Sequence, residues 1–152
     1  MEQPQDTPWV LLVYKIPREP TSSRATIWRK LKRLGALLLH DAVWVLPATP
    51  RTREHLQWLA VEIFEAGGEA MIWDGQLILP GQEEHLVRQF LETVDGDYRE
   101  ILSELDTVGP DLGALARRFQ RVQAHDYFHS DLGKRVREVL LASGEGGVTC
   151  GG

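Results

Sequence analysis

Between Trp9 and Leu79 the hydrophobic period switches repeatedly, and the connections between segments are too short to leave many topologies open. The run Trp9–Ile16 is apolar nearly throughout and rich in Val, Leu and aromatic residues. That is the pattern of a strand covered on one or both faces, and it stops at Pro17. Residues 18–23 read as a loop in which Thr21, Ser22 or Ser23 can cap a helix. Within 23–34, Ile27, Trp28, Leu31 and Leu34 recur at helical spacing, and Gly35 supplies a stop. Two short apolar runs, 36–40 and 43–46, flank Asp41-Ala42 as a hairpin. A second helix over 52–65 turns Leu56, Leu59, Ala60, Ile63 and Phe64 inward and closes at Gly67-Gly68. A strand follows over 69–73, with 76–79 extending it or pairing with it across Asp74-Gly75. The order β-α-β-β-α-β predicts an α+β fold of the ferredoxin-like kind, a small antiparallel sheet with two helices on one face.

Beyond Pro80 the pattern becomes helical only. Val87, Phe90, Leu91, Val94, Tyr98, Ile101, Leu102 and Leu105 form one stripe over 82–107, with Gly96 inside it. Gly109-Pro110-Asp111 reads as turn and cap, and Leu112, Leu115, Ala116, Phe119 and Val122 form a second stripe. The two stripes predict a helical hairpin, followed by a shorter helix over 130–141. The expected organisation is a ferredoxin-like domain over 1–80, a helical extension over 81–143, and a flexible tail or linker start over 144–152.

The formal net charge of −5 hides a strong polarity. Residues 1–60 carry +4, residues 61–110 carry −10 and the remainder +1. A basic front half leaves nucleic acid open as a partner where a uniformly acidic chain would argue against it. Arg24, Arg29, Lys30, Lys32 and Arg33 fall within one predicted helix that holds no acid between them. With Lys15, Arg18, Arg51 and Arg53 they offer a surface for DNA phosphates, whose affinity comes from counterion release and bidentate Arg geometry. A solvated helix face would look the same, because Lys and Arg are good helix formers. Arg18, Ser22, Ser23 and Arg24 also suggest a cradle for a small anion at a helix start, against the plainer reading of N-capping.

Catalytic signatures are missing: there is no HExxH, GxSxG, Walker A or GxGxxG. The expectation is a protein that is not an enzyme and needs no metal or cofactor. In the segment HDYFH, His125 and His129 have the i,i+4 spacing of a shared ligand, but surface or capping histidines are the simpler reading. Trp9, Trp28, Trp44, Trp58 and Trp73 fall on predicted strands or inward helix faces, which points to core. One Cys, at position 150, excludes a disulfide framework and suits a cytoplasmic setting. MEQPQDTP lacks the features of a signal peptide, and no apolar run approaches the ~20 residues of a membrane span.

The stretch YKIPREPTSSRATIWRKLKRLGALLLHDAVWVLPATPRTREHLQWLAVEIFEAGGEA closely resembles the N-terminal domain of the ChrB family of bacterial chromate resistance regulators. The resemblance is dense from Trp9 to Leu79 and looser through RRFQRVQAHDYF. It implies a cytoplasmic, chromate-responsive transcriptional regulator whose N-terminal part binds promoter DNA. Family members carry a further C-terminal domain to which chromate sensing is attributed, and the Gly-rich tail from Gly144 fits the start of an interdomain linker. The order of elements and the YxIP strand end also resemble the C-terminal domain of the phenylacetate repressor family and a CRISPR-associated family of small nucleases. In the latter the first strand ends in a metal-binding Asp, whereas Lys15 stands at the matching position here and would repel Mg²⁺. By the same analogy a homodimer is expected.

Overall fold

The computed structural model describes residues 8–19 and 21–151, with side chains up to Gly144. Contacts divide the chain into two compact units that meet in sequence between Glu83 and Glu84.

The first unit holds β1 (Trp9–Lys15), α1 (Thr21–Arg33), β2 (Leu37–His40), β3 (Val43–Pro47), α2 (Pro50–Glu65) and β4 (Glu69–Gly75). The strands form an antiparallel sheet in the order β2-β3-β1-β4, the ferredoxin-like arrangement that the sequence predicts. β1 sits in the interior of the sheet and pairs on both sides, which explains its near-continuous apolar run. Val10, Leu12, Trp44, Leu46, Ile27, Leu31, Leu56, Leu59 and Ile63 are all buried. Gly35 and Gly67 adopt φ of 81° and 86° at the ends of α1 and α2, a conformation in which a Cβ is penalised. Gly68 is constrained differently: a Cβ there would lie 2.4 Å from the Lys15 carbonyl oxygen and 2.8 Å from Ile63 Cγ2.

Several expectations are corrected. Residues 76–79 form no strand. Gly75 already pairs with Trp9, the first residue of β1, and Pro8 before it has no N–H to continue the ladder. Of the five tryptophans only Trp9 and Trp44 are buried, whereas Trp28, Trp58 and Trp73 are 47%, 64% and 56% exposed. Phe64, expected inward, is also exposed. The apolar arc of each helix is wider than the strip that two helices need to cover a sheet of this size, so Trp28, Trp58 and Phe64 face solvent. Trp73 instead is on strand β4 in register with Leu11, on the face opposite the buried Leu12.

The second unit is helical, with α3 (Gln82–Leu105), α4 (Leu112–Gln123) and α5 (Asp131–Gly151). Val94, Tyr98, Ile101, Leu115, Phe119, Val122 and Val136 form its core. Asp111 caps α4 by accepting from the Ala114 N–H. Tyr98 meets Phe119 and Asp126 while Glu104 meets Arg118, so α3 and α4 run antiparallel as a hairpin. Gly133 lets α5 approach Tyr98, since a Cβ would lie 2.7 Å from the ring. α5 continues to Gly151, beyond the end at Leu141 that the sequence predicts. The side chains expected to form a flexible tail, Cys150 among them, lie outside the described residues.

Candidate nucleic-acid interface

Helix α1 commits Ile27 and Leu31 to the sheet, so its charged residues occupy the two flanks and the outer face. On one flank a groove of about 710 Å³ is lined by Tyr14 and Lys15 at the end of β1, by Thr21, Arg24 and Trp28 on α1, and by Asp41 in the β2–β3 turn. Asp41 holds this turn with φ of 39°, a left-handed conformation that Asp tolerates better than most residues. Trp28 leans its ring against the buried Trp44, with centroids 6.4 Å apart and planes at 79°. Its remaining surface is open, and Lys32 Nζ lies 5.3 Å from the ring centroid. Lys15, Arg24, Trp28 and Lys32 thus make a strip of cations around an exposed indole.

The other flank has different chemistry. Lys30 is ion-paired with Glu62 of α2, and both are about half-buried. Ser22 and Ser23 lie within the first turn of α1 and border a smaller groove of about 170 Å³ together with Thr26, Ile27 and Glu62. The cradle expected from Arg18, Ser22, Ser23 and Arg24 is therefore divided. The two serines face a carboxylate, and Arg24 lines the other groove. Arg18 is exposed in the loop after β1. Arg29 donates weakly to Thr26 Oγ1 at 3.4 Å, and Arg33 is exposed.

The α2 cations lie elsewhere. Arg53 Nε donates to Asp74 Oδ1 at 3.0 Å, and Asp74 pairs in register with Val10 near the start of β1. Lys15 pairs with Glu69 at the opposite end of the same ladder. Five residue steps along the strand separate the two positions, roughly 17 Å. Arg51 is exposed in the first turn of α2, at the Arg53 end. Among the described residues, Lys30 and Arg53 are the members of the nine-cation set that pair with a carboxylate. The nine residues do not form one patch. The structure joins Lys15, Arg24 and Lys32, adds Arg29 and Arg33 on the outer face of α1, and sets Arg51 and Arg53 apart.

Sequence reasoning missed Trp28 as a surface residue. Its position next to Ile27 on the helix, between Arg24 and Lys32 in sequence, was the available signal. The histidine reading also changes. His125 and His129 lie in the connection between α4 and α5, with His129 at φ 54°, so they do not share a helix face. Asp126 accepts the Tyr98 hydroxyl at 2.9 Å and the Ser130 N–H at 3.1 Å, and the Ser130 hydroxyl donates to Asp95. Burial pushes the Tyr98 phenol well above its ordinary range, reinforced by the hydrogen bond to Asp126 and by the charges of Asp126, Asp95 and Asp97. Burial also draws His125 below its ordinary value, against the opposing pull of Asp97 and Asp126. Among the described residues no group of three or more His, Cys, Asp or Glu is placed to hold a metal ion. No described helix is long and apolar enough to cross a membrane.

The family described as Protein ChrB, N-terminal, matches residues 24–114, which include most of α1, all of β2, β3, α2, β4 and α3, and the start of α4. Protein ChrB of Cupriavidus metallidurans is 28% identical over 162 aligned residues, covering 92% of this chain and 49% of that protein. The chain thus spans about half the length of this curated relative.

Proposed function

The chain belongs to the ChrB N-terminal family, and on that premise we propose that it is the DNA-contacting part of a chromate-responsive regulator of chromate resistance. The observation that carries this reading is the strip Lys15–Arg24–Lys32 around the open face of Trp28, with Arg29 and Arg33 beside it. These cations bind phosphates and set the position of the domain on the duplex. Trp28 adds an apolar face against sugar or base. Lys30 and Arg53 have a structural role instead, since each already holds a carboxylate.

Fluorescence anisotropy with a promoter duplex at two salt concentrations tests this. Replacing Arg24 and Lys32 by Ala weakens binding and lowers the salt slope by about 2, near one unit for each phosphate that is no longer neutralised. Lys30→Ala and Arg53→Ala leave the slope unchanged. Unaltered affinity in the Arg24/Lys32 double variant overturns the proposal.

A second reading, a site for chromate or another small oxyanion, has one observation in its favour. Lys15, Arg24 and the first residue of α1, Thr21, share a single groove. The anion then sits there and not at Ser22 and Ser23, whose groove has no Lys or Arg among its described lining residues. Calorimetry with chromate, with sulfate as the comparison, returns binding heat that Arg24→Ala abolishes. Absence of heat removes this reading.

A further inference from the structure

The two edges of the sheet are built differently. The β2 edge has four residues, and its register shifts between Leu38 and His40. A short, irregular edge of that kind is a poor template for further strands. The β4 edge has seven residues in unbroken register with β1, and contains neither Lys nor Pro. Two of its side chains are apolar and exposed. Met71 and Trp73, each 56% exposed, pair in register with Val13 and Leu11, on the face opposite the buried Leu12.

We infer that the β4 edge is a homodimer interface, where two copies join their sheets through antiparallel β4–β4 pairing about a two-fold axis at Ile72. This occupant follows from the strand's own self-complementarity. With Ile72 on the axis, all seven residues pair, and directly opposed side chains share a face. Met71 then stands opposite the partner's Trp73, and the symmetry repeats this thioether–indole contact on the other side. Glu69 meets the partner's Gly75 and Asp74 meets the partner's Ala70, so no acid opposes an acid. A shift of two residues brings Met71 onto the partner's Met71 and Trp73 onto Glu69, or Trp73 onto the partner's Trp73 and Ile72 onto Asp74. Both shifts give up paired residues and apolar matches. The Ile72-centred register is the one that satisfies backbone, apolar and charged groups together.

Sedimentation equilibrium of the full chain, without DNA, tests this independently of nucleic-acid binding. The wild type sediments as a dimer. Trp73→Glu raises the dissociation constant by at least about tenfold, the loss expected when a buried aromatic anchor is removed. The double variant M71K/W73E recovers association, because opposite charges then face each other twice across the axis. Val108→Glu, at a fully exposed position of the second unit, leaves the constant unchanged. In a Cys150→Ser background, Ile72→Cys gives an oxidised dimer through the residue that faces its own copy, and this readout does not depend on how Trp73→Glu affects folding. A monomer at all concentrations, or a dimer indifferent to Trp73→Glu in which Ile72→Cys fails to cross-link, overturns the inference.

Discussion

Helix α1 and the α4–α5 connection are the two places where the chain concentrates chemically capable side chains, and they use them in opposite ways. The connection HDYFHS turns its polar atoms inward. Asp126 accepts from Tyr98 and from the Ser130 N–H, and Ser130 donates to Asp95 while its oxygen accepts from the Leu132 N–H at 3.1 Å. Tyr127 and Phe128 pack their rings on Phe90. Helix α1 leaves Arg24, Arg33 and Lys32 without a carboxylate partner among the described residues, and keeps Trp28 half open. A cluster whose groups satisfy one another holds a fold together. A cluster left facing water is available to a partner.

Substitutions can break this contrast at graded cost. The largest effects belong to the two close approaches, one in each unit. Gly68→Ala drives a Cβ into the Lys15 carbonyl, and Gly133→Ala drives one into the Tyr98 ring, so each loses about 2–3 kcal/mol by overpacking. The five tryptophans all precede residue 74, so Trp fluorescence in a denaturant titration reads the first unit and registers Gly68→Ala. Far-UV circular dichroism follows Gly133→Ala in the helical unit. Next comes Asp126→Ala, which leaves the Tyr98 hydroxyl and the Ser130 N–H without their acceptor and costs about 1–3 kcal/mol by the same titration. An Asp126→Ala chain as stable as wild type would dissolve the distinction drawn above.

The pH dependence is a smaller effect. His125 has a folded value below its unfolded one, so the unfolded chain takes up the proton first. Its contribution is fully present above the unfolded value near 6.5 and declines as the pH falls through the window below it. His125→Gln flattens that part of the stability profile, measured by thermal unfolding between neutral and mildly acid pH. The smallest effect is Lys30→Ala. Its half-exposed ion pair with Glu62 contributes under about 1 kcal/mol, so the melting temperature hardly moves.

The element order was legible because each switch of period in the sequence is punctuated by Gly or Pro, as at Pro17, Gly35 and Gly67-Gly68. Which apolar residues face outward was not. A helix pattern marks Ile27 and Trp28 alike as apolar, and how much of the arc the sheet covers is a tertiary quantity. The distribution of cations was hidden for a related reason. Lys30 meets Glu62 at a separation of 32 residues, and Lys15 and Arg53 stand at opposite ends of β1, a strand that connects them in space but not in sequence order. The division of Ser22 and Ser23 from Arg24 follows from the two flanks of one helix, which spacing alone does not assign to neighbours.

The interior position of β1 also sets an order of events during synthesis. Of the four strands of this sheet Trp9–Lys15 is synthesised first, yet its partners are β3, and then β4 as far as Gly75. The most apolar strand of the sheet therefore waits for about half the chain to be translated before both of its edges are paired. Until then it is the segment with most to gain from a chaperone.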